Sequence, residues 1–495
     1  MTNGQKMQGQ IVFDAWAKYA LHCGKFPKIW SAMFVLNHDD QVPLYTQLYS
    51  RIKDEILSGK LPSNSRLSSV RDLAGELSIS RNTVERSYLE LYSEGYIYSK
   101  QRSGYFVSVL SQDFLSVPRG LPARGPLPVA APHCEFDFHP ARLDQEAFPA
   151  PLWRRCFLDC LRQGSRELNQ YREPQGEWGL RCHIQKYLER SRGVVCDPEQ
   201  IVICSGLQHS LDIVAHLQQG RRPAVAVENP GYHLPRSVFR NHSFEVIPIP
   251  VNSTGIDLEL LETSGTNIAY VTPSHQFPMG CVMPVANRLK LIEWAMSGGR
   301  LIVEDDYDSE LRYHGKPIPS LQGLQSSGNI IYLGTFSKIL SPALRVSYMI
   351  LPHSQLPTYR RLFQDYFCSV SLLEQRTLAE FMEQGHWDRH VRRMRTLYRK
   401  KHDALLRAVD RHFGDKAVIV GQGAGLHVVL QLADRLFGET ELIDRARNKG
   451  VGLFPLSVTY AEGEPDSSKV LLGFGGLNIN KIEQGIELLV KSWYN

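Results

Sequence analysis

No apolar run in this chain approaches the roughly 20 residues that a membrane-spanning helix needs, and its start shows no apolar core followed by a small-residue cleavage site. Both point to a cytoplasmic protein. The nine cysteines are an odd set, without a CxxC pair or a Cys/His zinc spacing. They read as reduced thiols that fill core positions, with no metal expected. The GxxxxGK[ST] phosphate loop is missing as well. Neither sign of charge dominates: 56 Lys and Arg face 51 Asp and Glu, a net of +5 over 495 residues. A nucleic-acid function must therefore be argued from local pattern. What is present is a globular composition, 43% hydrophobic and 22% charged, on a chain longer than the roughly 250–300 residues at which single cores stop growing. Several domains are expected.

Residues 1–40 carry Trp16 and Trp30 but no sustained period, and read as an N-terminal extension in which Met33 is a candidate native start. From 41 to 110 the pattern sharpens. Leu44, Tyr45, Leu48, Ile52, Ile56 and Leu57 form a helical stripe, with Pro43 suited to the first helical position and Gly59 just past the end. Ser68 or Ser69 can cap a short second helix that buries Val70, Leu73, Ala74 and Leu77. Ser80 can cap a third, from Arg81 to about Ser93, with Val84, Tyr88, Leu91 and Tyr92 inward. Tyr96–Tyr98, a polar turn over 99–104 and Tyr105–Val107 then read as a β-hairpin. The order is that of a helix-turn-helix followed by a wing.

In such a module the start of the second motif helix meets base edges while flanking groups hold phosphates. Arg81, Asn82 and Thr83 stand there, with Arg86 one turn on; arginine pairs with guanine and asparagine with adenine. Ser69, Arg71, Arg102, Ser103 and Gly104 are the candidate backbone or minor-groove contacts. The competing reading, a small helical domain with solvated arginines, draws on the modest local charge of 9 basic and 7 acidic residues. Spacing decides. Leu67-Ser-Ser-Val-Arg-Asp-Leu-Ala74, Ser80-Arg-Asn-Thr-Val84 and Leu91-Tyr-Ser-Glu-Gly-Tyr96 closely resemble the GntR-type winged helix-turn-helix, which implies binding to a double-stranded DNA operator.

Residues 111–133 interleave Pro118, Pro122, Pro126, Pro128 and Pro132 with glycines, a composition for an extended linker. Beyond it, residues 134–495 alternate buried-strand runs (201–203, 224–227, 268–271, 301–303, 330–333) with amphipathic stretches. That predicts a large α/β domain with a largely parallel or mixed sheet covered on both faces.

Four segments of this domain suggest one chemistry. Gly334-Thr335-Phe336-Ser337-Lys338 follows a strand, where open α/β sheets bind ligands. Lys338 there can form a Schiff base with an aldehyde cofactor, and Thr335, Ser337 and Arg345 can hold a phosphate. Glu304-Asp305-Asp306-Tyr307 ends another strand, and its acids need a partner such as a pyridinium nitrogen; a metal-binding loop or a solvated turn is the alternative. Ser205-Gly206-Leu207-Gln208 opens a helix and offers N–H groups to a phosphate. Tyr232, on the turn after Glu228, is placed to stack on a ring.

Together the segments resemble a fold-type I, pyridoxal-phosphate-dependent aminotransferase. The turn at Pro273–Gly280 departs from that pattern, because Phe277 stands before Pro278 where Asn is usual, leaving Tyr307 with His275 or Gln276 for the cofactor's phenolate oxygen. A GntR-type reader, a linker and such a domain resemble the MocR/GabR transcriptional regulators. The resemblance implies Lys338 as the aldimine-forming residue, Asp305 on the ring nitrogen, Tyr307 on the phenolate oxygen and Tyr232 on the ring face. It also implies Arg345, Ser337, Thr335 and Gly206-Leu207-Gln208 around the phosphate, and a head-to-tail homodimer. The expected function is a regulator that senses a small amine or amino-acid effector, or pyridoxal 5'-phosphate itself, through Lys338. The alternative is a working aminotransferase with an accessory DNA module. Against it, Phe454–Phe474 holds no arginine and only Lys469 to clamp a substrate carboxylate.

Overall fold

The computed structural model describes residues 36–110 and 134–494, apart from residues 165–167, 169, 171–172, 221–222, 314, 316–317, 422, 435–436 and 464–467. Met33, most of the extension and the proline-rich 111–133 segment lie outside the described residues. Contacts divide the chain into two units that meet in sequence at residues 130 and 131.

The first unit contains helices α1 (Leu44–Leu57), α2 (Val70–Leu77) and α3 (Arg81–Ser93), then strands β1 (Ile97–Lys100) and β2 (Gly104–Val107). Pro43 stands at the N-cap of α1, one position earlier than expected, where its extended backbone lets its carbonyl accept from Thr46 and Gln47 N–H. The Ser69 hydroxyl caps α2 by accepting from Asp72 N–H, and Ser80 caps α3 by accepting from Thr83 N–H, both at 3.1 Å. Leu48, Ile52, Leu73, Val84, Tyr88 and Leu91 are buried together. Tyr92 is not; it is 49% exposed. Ser87 takes the inward position instead, donating to the Tyr45 carbonyl at 2.8 Å and the Thr83 carbonyl at 2.9 Å. The two strands pair antiparallel from Ile97–Val107 to Lys100–Gly104, so the turn is shorter than the sequence suggests and Arg102 adopts φ 61° at its tip.

In the second unit, the strands in chain order are β3 (Phe136–Asp137), β4 (Ile201–Cys204), β5 (Ala224–Asn229), β6 (Glu245–Asn252), β7 (Gly255–Ile256), β8 (Ile268–Val271), β9 (Leu301–Asp306), β10 (Ile330–Thr335), β11 (Ser347–Ile350), β12 (Ala417–Val420), β13 (His427–Leu432), β14 (Val451–Gly452) and β15 (Lys469–Gly473). Eight form a mixed sheet in the order β4-β11-β10-β9-β8-β5-β6-β7. Its centre is parallel from β10 through β6, while β11 runs antiparallel to both β4 and β10. Alternation along each strand sends side chains to opposite faces. Leu301, Val303, Ile331 and Leu333 enter one buried cluster, whereas Ile302 and Ile330 enter another across the sheet. Both faces are covered, as the continuous apolar runs imply. A smaller antiparallel sheet, β12-β13-β15, follows the 28-residue helix His386–Phe413, and β3 pairs with β14.

Register aligns the edge that matters. Asp305 lies beside Leu333, Thr335 beside Ser347, and Ser347 beside Cys204. The carboxyl ends of β4, β9 and β10 and the start of β11 thus form one rim, the usual ligand edge of an open α/β sheet.

Candidate cofactor site and nucleic-acid interface

A cavity of about 420 Å³ opens at that rim, lined by Gly206, Leu207, Gln208, Tyr232, Asp305, Tyr307, Thr335, Ser337, Lys338 and Arg345 among others. Of the residues named from sequence for a cofactor, Ser205, His275 and Gln276 are not among those that line it. At one end, helix Leu207–Leu217 begins without a side-chain cap after Gly206 at φ 99°, leaving its first N–H groups and dipole toward the cavity. Gly206 N–H donates to the Ser347 hydroxyl at 2.9 Å, and Arg345 Nη2 donates to the Ser205 carbonyl at 3.0 Å. A Cβ on Gly206 would sit 2.2 Å from Arg345 Nη2, so only glycine lets the guanidinium rest there. The Thr335 hydroxyl donates to Ser337 Oγ at 3.0 Å and accepts from Ser337 N–H at 3.1 Å, which frees the Ser337 proton. Two hydroxyls, a guanidinium and an uncapped helix start form a cradle whose chemistry suits a phosphate.

At the other end the three strand-end acids separate by face. Glu304 accepts from Leu321 and Gln322 N–H at 2.8 and 3.1 Å. Asp306 accepts from Arg192 Nε and the Tyr332 hydroxyl, each at 2.6 Å. Asp305, on the opposite face, is the one that lines the cavity; Tyr270 donates to its Oδ2. Burial raises the Asp305 carboxyl to about 7, against the lowering effect of the Tyr270 bond. A buried acid so costly to ionise is suited to a cationic partner. Internal partners take both Glu304 oxygens and Asp306 Oδ2, and among the described residues no group of three His, Cys, Asp or Glu could hold a metal ion.

Lys338 Nζ donates to the Pro140 carbonyl at 3.5 Å. Burial pushes its ammonium down, with Asp308 and Asp305 opposing, which favours a neutral amine more than at a surface lysine. The Tyr307 hydroxyl lies 3.1 Å from His275 Nδ1, itself 2.9 Å from Asp308 Oδ2. Burial and the nearby acids raise the Tyr307 phenol. Tyr232 sets its ring edge-on to Phe277, with centroids 5.6 Å apart.

The structure corrects the expectation for His275 and Gln276. Gln276 Nε2 is taken up by Glu228 and by the Pro230 and Phe277 carbonyls, and His275 is packed behind Tyr307; neither lines the cavity. The turn instead presents Phe277. Tyr270, His139 and Pro140 were missed from sequence. Tyr270 was readable in principle, since it shares strand parity with the cavity face. His139 and Pro140 sit some 200 residues before Lys338 and carry no local signal.

In the first unit, Arg81, Asn82, Arg71, Arg102 and Gly104 are exposed, while Thr83 and Ser103 are half-buried. The Ser69 hydroxyl is engaged by Asp72, so its capping duty competes with a phosphate contact. Arg86 lies over the Tyr45 ring at 3.8 Å and reaches Glu90 at 3.9 Å, which turns it toward α1. Glu85, unremarked in the sequence, is the exposed residue one turn beyond Arg81 on α3.

Residues 142–473 match the aminotransferase class I and II family, and residues 44–107 match the gntR family of bacterial regulatory proteins. The HTH-type transcriptional regulator YdeL of Bacillus subtilis, described as uncharacterized, is 41% identical over 460 residues, covering 92% of this chain and 98% of that one. MocR of Rhizobium meliloti, a probable rhizopine catabolism regulatory protein, is 35% identical over 471 residues, covering 92% of this chain and 95% of its own. The chain belongs to the MocR/GabR family of transcriptional regulators. As a MocR-type regulator it is a DNA-binding protein with a fold-type I aminotransferase-like domain. That domain is similar to the crystal structure of LysN, the α-aminoadipate aminotransferase of Thermus thermophilus complexed with N-(5'-phosphopyridoxyl)-L-leucine. The TM-score is 0.66 at 26% identity, covering 72% of this chain and 92% of LysN. Members of this fold family bind pyridoxal phosphate, and the phosphate cradle, buried Asp305 and Lys338 fit that cofactor. Among the described residues no helix is long and apolar enough to cross a membrane.

Proposed function

We propose that this MocR-type regulator, cytoplasmic and acting as a head-to-tail homodimer, reads the occupancy of its effector-domain cavity and converts it into a change in operator affinity. The signal is a small amine or amino-acid effector, or pyridoxal phosphate itself. One observation carries the reading: Lys338, Asp305 and the Gly206–Arg345 cradle, drawn from distant parts of the sequence, line a single cavity.

When bound, pyridoxal phosphate supplies an electrophilic aldehyde carbon that takes a primary amine. Lys338 presents the chain's own amine. Asp305 presents a carboxyl to the ring nitrogen, with Tyr270 fixing its orientation. Tyr307 serves the phenolate oxygen and Tyr232 covers a ring face. Arg345, Thr335, Ser337 and the N–H groups of Leu207 and Gln208 hold the phosphate. A ligand redirects DNA binding only as far as it prefers one arrangement of the protein over another. Titrating operator binding first with cofactor and then with amines separates the two kinds of signal; no change with either refutes sensing. The aminotransferase reading gains support only if repeated turnover with an amino donor and a keto acid is seen and is lost in Lys338→Ala.

Gly206→Ala, which must displace Arg345 and adopt a strained φ, is expected to cost about 1–3 kcal/mol of stability. It should also weaken cofactor retention by roughly tenfold or more on the scale of one lost charged contact. Thermal melts and dialysis against free cofactor check both.

On the DNA side, Arg81 and Asn82 read bases, Thr83 supports them at the start of α3, and Arg71, Arg102, Ser103 and Gly104 hold the backbone. Glu85 can accept from a cytosine amino group beside them. Arg81→Ala should relax base preference at one position by about 1–3 kcal/mol, whereas Arg102→Ala should weaken all sequences alike. Selection from a random DNA pool distinguishes them, and an equal loss on every sequence for Arg81→Ala would remove its assigned role.

A further inference from the structure

Beyond the phosphate cradle the cavity has a second wall, made by Ala141, Leu143, Leu234, Phe277 and Phe454. Ala141 is exposed, and Leu143 and Leu234 pack against two separate buried clusters. Phe277 and Phe454 lie against the buried cluster Val429, Leu456 and Leu471. Phe454 is tied to that cluster by a backbone bridge to Leu471, and its ring meets His139 edge-on at 4.8 Å. The titratable groups on this side are His139 and His233; burial lowers both, and Arg142 and Lys338 beside His139 and Arg236 beside His233 act in the same direction, favouring the neutral forms. Among the described lining residues the lasting cations are Lys338 and Arg345, and Arg345 is held at the far end by the Ser205 carbonyl.

A carboxylate pressed on this wall would lose its water, and among the described residues the nearby arginines are already engaged, Arg142 by Asp137 and Arg236 by the Val458 carbonyl, while an alkyl or aryl group would lose only unfavourable hydration. We propose that the effector recognised at this cavity is a primary amine whose remainder is apolar and carries no carboxylate. The inference rests on the reading of the Lys338 cavity as the effector site and adds the chemical class of its ligand.

The test uses the full-length protein loaded with pyridoxal phosphate and a DNA fragment it has selected from a random pool. Phenethylamine is titrated against L-phenylalanine, and isopentylamine against L-leucine, with operator affinity and the visible cofactor band as readouts. Each amine should act at a concentration at least about tenfold below that of its parent amino acid. Phe454→Arg, which places a cation on the wall, should narrow or invert that ranking. Amino acids acting as well as or better than the amines would overturn the proposal, as would a response to pyridoxal phosphate with none to any amine. If Phe454→Arg folds and leaves the ranking unchanged, the wall does not select and the proposal fails; if it does not fold, the wild-type ranking decides. A protein that shows no visible band refutes the Lys338 reading itself, and this inference falls with it. A band accompanied by amino-acid preference sinks the apolar-amine inference alone.

Discussion

Replacing Lys338 with alanine is expected to abolish both the absorbance change that marks covalent attachment of the cofactor and the mass that borohydride fixes to the peptide spanning position 338. The side chain is half-buried at the cavity rim, reaches no acid directly and donates only a long bond to the Pro140 carbonyl. Its amine is therefore available as a nucleophile, and burial already drives it toward the neutral state. Melting temperature should move little, because no ion pair is broken. Pyridoxal phosphate can still enter the cradle of Arg345, Ser337 and the helix at Leu207, so weak, non-covalent retention is the expected residue of binding. A variant that still yields a borohydride-stable adduct at another lysine would relocate the chemistry and undo the site as drawn.

Asp305→Asn should have opposite effects on the empty and loaded protein. Burial lifts this carboxyl from its usual range to about 7. The native state then holds a proton that the unfolded chain has already released between roughly pH 4 and 7, so stability falls as pH rises through that window. The neutral amide escapes the loss. Without cofactor, Asp305→Asn is expected to be more stable than the natural protein by about 2–4 kcal/mol at pH 8, a difference that shrinks toward pH 4. Glu228, Glu304 and Glu310 are raised to about 7 by burial as well, so the comparison must be made between variant and parent, not along one pH curve. With cofactor the order should reverse, because an amide cannot hold a proton on the ring nitrogen. Chemical denaturation at two pH values, with and without pyridoxal phosphate, gives the four numbers needed. Equal stability of the empty proteins at pH 8 would mean that Asp305 ionises there without penalty.

Much of this was legible in the sequence because the signals are local. Ser69 and Ser80 sit in front of apolar stripes, and a hydroxyl that satisfies a helix's first N–H groups is a one-residue decision. Lys338, Asp305 and Gly206 each follow a run of buried-strand residues, and strand ends in an open sheet meet at one rim whatever the strand order. What was not legible depends on distance. That Tyr270 answers Asp305, or that Glu304 and Asp306 are consumed by Leu321, Gln322, Arg192 and Tyr332, follows from register and crossover, which one sequence does not print. Tyr92, expected inward, is exposed for a subtler reason. It lies near the boundary of the helix's buried arc, where the choice between solvent and core is set by a neighbouring ring: Tyr105 meets it edge-on at 6.4 Å. The apolar turn at Phe277 was noticed as a departure, but its meaning needed the Val429–Leu456–Leu471 block behind it.

The most direct test of the central claim is the affinity of the full-length protein for its selected operator, measured by fluorescence anisotropy with and without saturating pyridoxal phosphate, for the natural chain and for Lys338→Ala. The account predicts that the cofactor, or an amine added after it, changes the operator dissociation constant of the natural protein and leaves that of Lys338→Ala essentially unmoved. One dissociation constant shared by all of these conditions would contradict it.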